Sequence, residues 1–249
     1  DVYEGAPISI ASYLSVISKG AAVFILMILM FTVFKPLIEV WENIVYVIAL
    51  ATMFIGNLFA LRQQNMKRFL AFSSIAQAGF ILLGLITGNQ LGTATIVYFV
   101  MIYIFSNLAA FGVVQAISLK TGKENMDDYN GLYRTNPNLS LIMMLALFSL
   151  AGIPPAAGFF GKFFLFTAAA SKGYYLLVFL GVVNVTISLY YYLLVVRAMF
   201  IRSNDNPIPS FKNKIYMRLG LAITVIGILA LGLYSPLYDY IYELSSVFN

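Results

Sequence analysis

The amino-acid sequence predicts an all-α fold, a polytopic bundle of about seven transmembrane helices that forms a single membrane domain over residues 1–249. Hydrophobic residues make up 61% of the chain and charged residues 10%, whereas a soluble domain averages about 25% charged residues. Apolar runs recur that are long enough to cross about 30 Å of hydrocarbon. Basic residues concentrate in alternate connections between these runs, a pattern typical of polytopic membrane proteins.

Seven apolar runs predict the helices in chain order, at residues 8–34, 44–61, 69–87, 93–119, 139–171, 174–201 and 219–242. The fifth run is longer than one crossing requires and contains Pro154 and Pro155. Each proline removes a backbone donor and clashes with the preceding turn, so we expect this helix to be broken at Pro154-Pro155. The second half-helix is predicted to begin near Ala156, and the freed carbonyls need partners in protein or in a wet cavity.

The distribution of basic residues predicts the orientation of the helices. If the N-terminus lies on one side, called side A, ten basic residues fall on side A and two, Lys35 and Lys172, on the other. By the positive-inside rule side A is cytoplasmic, so the N-terminus is predicted to be cytoplasmic and the C-terminus to lie outside. Asp1 is not a methionine and no signal peptide precedes the first span, so we expect the interior of a longer polypeptide. The residues on side A are Arg62, Lys67, Arg68, Lys120, Lys123, Arg134, Arg202, Lys212, Lys214 and Arg218.

Two lysines, Lys19 and Lys162, lie deep inside predicted spans, and each is the only charge in its stretch, 7–34 and 137–171 respectively. A charged lysine at mid-membrane costs roughly 2.5–3.5 kcal/mol on insertion scales, so it is rarely placed there without a function. Because burial disfavours the charged form of a lysine, such a residue can hold or release a proton, and we predict that both belong to a proton path. The alternatives are that Lys162 snorkels to the outer face beside a structural kink and that Lys19 is a purely structural buried lysine.

Four further residues are weaker candidates for the proton path. Ser106 and Asn107 are placed to carry waters or to bond helices together, and the structural interpretation is favoured because such bonds are common and modest, about 0.6 kcal/mol. Tyr191 lies in a run of three tyrosines, of which at least one hydroxyl needs a buried partner, although core packing is favoured. Lys67 lies beside a short cytoplasmic turn, where topology is the simpler interpretation and the mouth of a cytoplasmic half-channel the alternative.

The composition excludes several classes of function. The chain has no cysteine and no histidine, which removes thiol nucleophiles, disulfides, Cys/His metal sites and haem ligation through these residues. We therefore predict no catalytic residue, no metal site and no cofactor in this chain. The net charge of +5 does not indicate nucleic-acid binding, because the basic residues lie at the ends of apolar spans.

Several strings in the sequence resemble one known family. They are DVYEGAP at 1–7 followed by Ser18-Lys19, NMKRFLAFSS at 65–74, FSNLAAFGVV at 105–114, LAGIPPAAGFFGKF at 150–163 and LYYYL at 189–193. Together they resemble antiporter-like membrane subunits and are most similar to subunit N of bacterial NADH:quinone oxidoreductase (respiratory complex I), whose mitochondrial counterpart is NADH dehydrogenase subunit 2. The resemblance runs nearly end to end, and the combination of strings is specific.

The resemblance implies that the chain is the C-terminal half, helices eight to fourteen, of a fourteen-helix antiporter-like subunit. Lys19 matches the lysine of helix eight that connects to the central hydrophilic axis, and Lys162 matches the lysine of the broken helix twelve, at the end of the path toward the outer side. Related subunits have a His or Lys where this chain has Ser106 and Asn107, a departure that favours subunit N. The family's helix-five glutamate and helix-seven lysine would lie before Asp1, which leaves half of the relay in this chain.

The function implied by the resemblance is a proton-translocating subunit that couples redox energy from other subunits to proton transfer through buried lysines. Such a chain is a non-redox part of a translocase in the bacterial inner membrane, with the bilayer and the other membrane subunits of complex I as partners. Three rivals stay open: a subunit of a multi-subunit cation/proton antiporter, a non-transporting scaffold subunit, and a small-solute transporter. No acidic residue lies in the interior of a predicted span, since Asp239 stands at the outer end of the last one, and this argues against cationic substrates.

Overall fold

The computed structural model describes residues 2–234 and 236–248, and the regular structure in these ranges is helical apart from one isolated bridge between Asn65 and Asn125. The predicted all-α fold is therefore confirmed. The apolar helices are, in chain order, α1 (Ile8–Val33), α2 (Lys35–Leu61), α3 (Met66–Leu85), α4 (Gln90–Thr121), α5 (Pro137–Ala151), α6 (Ala157–Ser171), α7 (Tyr175–Phe200) and α8 (Ile215–Leu233). All of these except α5 and α6 are long and apolar enough to cross a membrane by themselves.

Shorter elements complete the described residues. They are the helix α9 (Pro236–Leu244), the one-turn helices Val2–Gly5 and Leu132–Thr135, and the 3₁₀ turns Met126–Tyr129 and Ser245–Phe248. These elements lie in the connections and at the ends of the chain, so the apolar helices make up the body of the bundle.

The predicted break of the fifth span is confirmed, since α5 and α6 are separated by residues 152–156 with Pro154 and Pro155 at their centre. The end of α5 is closed by Gly152, whose φ of +85° is a conformation that glycine adopts without steric cost. The amides of Gly152 and Ile153 both donate to the Phe148 carbonyl, at 3.0 Å each, which satisfies one carbonyl that α5 itself leaves open. The two short helices together cover the predicted fifth run, 139–171.

Two of the predicted helix boundaries are wrong. The run 219–242 is not one helix, because α8 ends at Leu233 and the separate helix α9 begins at Pro236. Proline lacks a backbone donor and disfavours a helical conformation in the residue before it, which is a sufficient reason for this interruption. The second helix begins at Lys35 rather than at residue 44, with Pro36 in its first turn, where the missing N–H has no helical partner in any case.

Helices α3 and α4 occupy the centre of the bundle. Helix α4 packs against α3, α5, α6 and α8, and α2 packs along α3. The approach of α2 to α3 is close, because a Cβ atom added to Gly56 would lie 2.5 Å from the backbone nitrogen of Ala76. The central position of α3 and α4 places their polar side chains within reach of both α1 and α6, which carry Lys19 and Lys162.

The ion pairs between connections group at two ends of the bundle. At one end the pairs are Lys67–Glu124 (3.9 Å), Arg68–Glu4 (2.9 Å) and Arg202–Asp127 (3.6 Å), and at the other end the pair is Lys172–Glu42 (3.4 Å). This grouping agrees with the predicted assignment of connections to alternate sides.

Candidate functional site

The side chain of Lys162 is buried at the break between α5 and α6, with 3% of its surface exposed. Its Nζ atom donates to the carbonyl oxygens of Leu150 (2.8 Å) and Ala151 (3.1 Å). These carbonyls belong to the last turn of α5, where no intrahelical donor is available. The amine also lies 4.7 Å from the centre of the Phe80 ring, so a positive charge there would meet the negative face of an aromatic ring. Lys162 thus satisfies the carbonyls that the helix break leaves open.

Two glycines allow α6 to approach the end of α5. A Cβ atom on Gly152 would lie 3.1 Å from Cδ and 3.8 Å from Nζ of Lys162, so a larger residue would crowd the lysine. A Cβ atom on Gly158 would lie 1.7 Å from the carbonyl oxygen of Ser149, a distance that no side chain tolerates. Instead the amide of Gly158 donates to the Ser149 hydroxyl at 3.2 Å. The position of Lys162 therefore depends on glycine at both ends of the break.

Lys19 directly follows a π-helical segment of α1, Leu14–Ser18. Such segments occur mostly as local bulges in α-helices and frequently at functional sites. The Nζ atom of Lys19 donates to the backbone carbonyl of Ser74 and, at 2.9 Å, to the hydroxyl of the same residue. The Ser74 hydroxyl in turn donates to the carbonyl of Ala71 at 2.7 Å. The Lys19 side chain therefore links α1 to α3.

Both lysines have contacts that suit either protonation state. An ammonium carries three N–H bonds and a neutral amine two, and each Nζ atom has two oxygen acceptors within hydrogen-bond distance. Among residues 2–234 and 236–248, no carboxylate forms an ion pair with Lys19 or Lys162. A carboxylate within hydrogen-bond distance of a lysine would favour the charged form of that lysine. Gaining or losing a proton at either lysine thus leaves no acidic partner unpaired.

A line of polar side chains on α3 and α7 joins the surroundings of the two lysines. Gln77 donates from its Nε2 atom to the Leu150 carbonyl (3.0 Å), which also accepts from Lys162, and to the Tyr192 hydroxyl (3.3 Å). The Tyr192 hydroxyl is hydrogen-bonded to the Ser73 hydroxyl. Ser73 adjoins Ser74, which accepts from Lys19. We call the set Lys19, Ser74, Ser73, Tyr192, Gln77 and Lys162 the polar seam.

The polar seam is possible because of helical spacing on α3. Gln77 follows Ser73 by four residues and Ser74 by three, which places it on the same side of the helix as both serines. All three are buried, with 2% or less of each exposed. Buried hydroxyl and amide groups need hydrogen-bond partners, and the two lysine sites and Tyr192 supply them. A single face of α3 therefore connects α1 to α6 and α7.

Ser106 and Asn107 contact the two lysine sites from the other central helix, α4. The Ser106 hydroxyl is hydrogen-bonded to that of Ser149 at 2.7 Å, next to the helix break. The Asn107 side chain donates to the Ser15 hydroxyl (2.9 Å) and to the Tyr103 hydroxyl (3.1 Å), on the side of Lys19. Both residues are buried and satisfied by protein groups. Helix bonding, the interpretation favoured from the sequence, describes these contacts directly.

Tyr191 borders the polar seam, since its side chain lies beside Ser73 and Tyr192, but it also bonds outside the seam. Its hydroxyl donates to the Oδ1 atom of Asn57 (2.8 Å), whose Nδ2 atom donates to Asn184 (2.9 Å). Tyr191 and Tyr192 are both buried and Tyr190 is 60% exposed, which agrees with the expectation that the tyrosine run needs at least one buried partner. The structure places Tyr192 between the two lysine sites, with the predicted Tyr191 beside it.

Lys67 lies in the first turn of α3 and is 7% exposed. Its Nζ atom donates to the carbonyl of Ala6 (3.1 Å) and is 3.9 Å from the Glu124 carboxylate. Ser74 follows seven residues later, which is two helical turns along the same face of α3. Lys67 is therefore aligned with the polar seam but bonded to the segment that precedes α1.

Five residues of this region were not predicted as site residues from the sequence. They are Ser73, Ser74, Gln77, Ser149 and Tyr192. A usable signal for two of them was the spacing of Ser73 and Ser74 with Gln77 in an otherwise apolar helix, since polar residues on one helical face indicate a shared polar neighbour.

Comparisons with known proteins agree on one family. The model of the transmembrane family described as NADH:quinone oxidoreductase/Mrp antiporter matches residues 1–188. The chain is 55% identical over 240 residues to NADH-quinone oxidoreductase subunit N of Phocaeicola vulgatus, covering 96% of the chain and 51% of the relative. It is 51% identical over 250 residues to subunit N of Azobacteroides pseudotrichonymphae, covering 98% and 52%. The chain spans about half the length of the curated relatives it matches, and the predicted resemblance is confirmed.

Solved structures share the architecture. A chain of respiratory complex I from Thermus thermophilus is 33% identical with a TM-score of 0.68, over 78% of this chain and 44% of that one. A chain of the Mrp complex from Dietzia sp. is 22% identical with a TM-score of 0.79, over 92% and 51%, a likeness of fold alone. An archaeal membrane-bound sulfane sulfur reductase gives 23% identity and a TM-score of 0.86, over 98% and 50%. The predicted antiporter-like architecture is confirmed.

Proposed function

The chain belongs to the NADH:quinone oxidoreductase/Mrp antiporter transmembrane family, and from this membership we propose that it is a proton-translocating membrane subunit of an NADH:quinone oxidoreductase. Its relatives at 55% and 51% identity are subunits of that enzyme complex. In this proposal the redox reaction takes place in other subunits. The chain lacks cysteine and histidine, the usual ligands of iron–sulfur clusters, so it contributes proton transfer and no cofactor.

The observation that carries the proposal is the polar seam between Lys19 and Lys162. Each lysine has oxygen acceptors and no described carboxylate partner, so each is able to exchange a proton without separating an ion pair. Between them lie the hydroxyls of Ser73, Ser74 and Tyr192, which both donate and accept hydrogen bonds. A proton that leaves the Lys19 ammonium is passed along these hydroxyls and intervening water to the Lys162 amine.

Gln77 has a different role in this mechanism. An amide does not readily take up a proton at neutral pH, so it acts by position. Its two N–H bonds hold the Leu150 carbonyl and the Tyr192 hydroxyl in place. The same carbonyl accepts from Lys162, so a change of charge on the lysine alters the hydrogen bond that Gln77 makes to this carbonyl. Charged lysines in a medium of low dielectric repel each other strongly, so occupancy of one site lowers the proton affinity of the other.

The proposed setting is the bacterial inner membrane. The end of the bundle at which Lys67 and Arg68 form ion pairs lies on the cytoplasmic side. The excess of basic residues at that end supports this orientation. In the full-length subunit the chain would be the C-terminal half, and the other membrane subunits of the complex would be its partners. Proton entry then lies toward the cytoplasm and Lys162 stands at the end of the path toward the outer side.

The test is proton pumping by the assembled complex carrying the full-length subunit with Lys162→Gln. Inverted membrane vesicles are supplied with NADH, and acidification, quinone reduction and complex abundance are measured together. We expect the number of protons moved per NADH oxidised to fall while the complex remains assembled. Lys172→Gln is the matched control, because that lysine is more exposed and forms an ion pair at the bundle end with Glu42.

Three other outcomes would contradict this proposal. An unchanged ratio of protons to NADH in an assembled Lys162→Gln complex would remove the lysine from the path and overturn the mechanism. Loss of assembly with a normal ratio in the remaining complex would favour a scaffold role. Cation-dependent transport that proceeds without NADH would favour a cation/proton antiporter, the other branch of the same family.

A further inference from the structure

A cavity of about 740 Å³ lies outside the polar seam, between the first turns of α5 and α8. We call it the basic groove. Its walls come from the start of α5, from the connection that precedes α8, and from one face of α8. The residues that matter here are Asn138, Ile142, Lys212, Arg218, Ala222 and Val225. The basic groove is open on one side, so a ligand can enter it from the surface of the bundle.

The mouth of the basic groove is cationic. Arg218 lies in the first turn of α8, and Lys212 lies in the connection just before it. Both side chains are exposed, and neither forms an ion pair with any carboxylate in the described parts of the chain. The two charges therefore have no acidic protein partner in this region, and they are available to an anion.

The start of α5 adds to this positive potential. The residue before the helix, Asn136, does not cap it with its side chain. That side chain is used elsewhere: it donates to the Pro209 carbonyl (3.1 Å) and accepts from the Phe211 amide (3.3 Å), which holds the preceding connection beside the groove. The N-terminal end of a helix carries a partial positive charge, and Pro137 and Asn138 line the groove at this end.

The floor of the basic groove is apolar and runs toward the membrane interior. Ala222 and Val225 follow Arg218 at helical spacing on the same face of α8, and Ile142 faces them from α5. Val225 lies seven residues beyond Arg218, or about 10 Å deeper at 1.5 Å per residue. A cationic mouth at the start of a span, above an apolar floor within it, matches one kind of molecule, with a charged head and a hydrocarbon tail.

We propose that the basic groove binds one anionic phospholipid, with its phosphate between Arg218 and Lys212 and an acyl chain along Ala222 and Val225. Free phosphate would leave the apolar floor unoccupied, and a zwitterionic lipid would set its own cation against the two basic side chains. Each basic residue near an anionic membrane surface contributes about 1 kcal/mol, or about a fivefold change in affinity. The site is independent of proton transfer and goes beyond the proposed function.

The test uses the complex with the full-length subunit, reconstituted in phosphatidylcholine nanodiscs that contain a trace of photoreactive phosphatidylglycerol. Crosslinked positions are mapped by peptide mass spectrometry. In the unchanged protein we expect labelling of residues 138–142 and 218–225. The double variant Lys212→Gln with Arg218→Gln should reduce it at least about tenfold, given two charges at about fivefold each. Lys214→Gln is the matched control, because Lys214 is an exposed cation of the same connection that does not line the groove.

A second variant keeps both charges. Ala222→Phe fills the floor from an exposed position of α8, so it should also abolish the labelling while the complex stays assembled. Competition separates the sources of the anion: unlabelled phosphatidylglycerol should displace the probe, and glycerol phosphate should not. The proposal is overturned if photoreactive phosphatidylcholine labels the groove equally, if glycerol phosphate competes as well as the lipid, or if Lys214→Gln is as damaging as the double variant.

Discussion

The substitution Tyr192→Phe tests the polar seam with the smallest possible change. It removes one hydroxyl and keeps the ring, which packs edge-on against Phe69 (5.8 Å) and Tyr191 (4.6 Å) between ring centres. The hydroxyl is bonded to Ser73 and accepts from Gln77 at 3.3 Å. Losing it breaks the link between the Lys19 side and the Lys162 side without opening a large cavity.

The expected magnitude follows from the two hydrogen bonds that are lost. Each is worth about 0.5–1.5 kcal/mol, so together they contribute about 1–3 kcal/mol to the folded structure and to the ordering of the seam. If the same energy is added to the barrier for proton transfer, the transfer slows by a factor of about 5 to 150. We therefore expect NADH-driven acidification to fall at least about fivefold, because the slowed step becomes limiting.

The assay compares three single variants in vesicles, with acidification divided by complex abundance. Tyr192→Phe should be impaired and Tyr190→Phe, the matched control, should retain most of its activity. Tyr191→Phe should be less impaired than Tyr192→Phe, because the Tyr191 side chain lies beside the seam but does not contact Gln77. The Tyr191 hydroxyl bonds to Asn57, outside the seam, and Tyr190 is 60% exposed. Equal pumping by all three variants would refute the reasoning, and so would a loss in Tyr191→Phe that matches the loss in Tyr192→Phe.

Two further predictions concern the structure around the seam. Gly158→Ala should sharply lower the abundance and melting temperature of the complex, because the new Cβ would lie 1.7 Å from the Ser149 carbonyl; Gly220→Ala, with nothing within 4 Å, should be neutral, and equal melting of the two would contradict the close approach. Lys67→Gln should weaken the bond to the Ala6 carbonyl by about 1 kcal/mol and speed amide hydrogen exchange in residues 2–7. Reduced pumping with unchanged exchange would instead place Lys67 in the proton path.

Much of the fold was predictable because its determinants are local. The charged fraction, the length of the apolar runs and the alternation of basic connections depend on composition and spacing, and they predicted an all-α membrane bundle. The break at Pro154-Pro155 was predictable because proline acts on its own backbone and on the turn before it. The interruption before Pro236 obeys the same rule, and the prediction of one helix over 219–242 failed because hydropathy was followed there in place of backbone chemistry.

The candidate site was predictable in part. Lys19 and Lys162 stand out in the sequence because a charge in an apolar span is rare whatever its neighbours are. Their acceptors do not stand out, because backbone carbonyls of Ser74, Leu150 and Ala151 carry no sequence signal. Ser149 is equally inconspicuous, since serine is common in membrane helices. These partners became visible only when the helices were placed against one another.

The sequence by itself determined that this chain is an all-helical membrane protein with two isolated lysines and a broken span, and its motifs determined the family. Only the tertiary structure decided which polar side chains join the lysines. Tyr191 and Tyr192 are neighbours in the chain, yet one bonds to Asn57 on α2 and the other to Ser73 on α3. Successive residues point about 100° apart around a helix, and the rotation of α7 relative to α2 and α3 is set by packing between helices. The sequence pattern of a single helix does not determine this rotation.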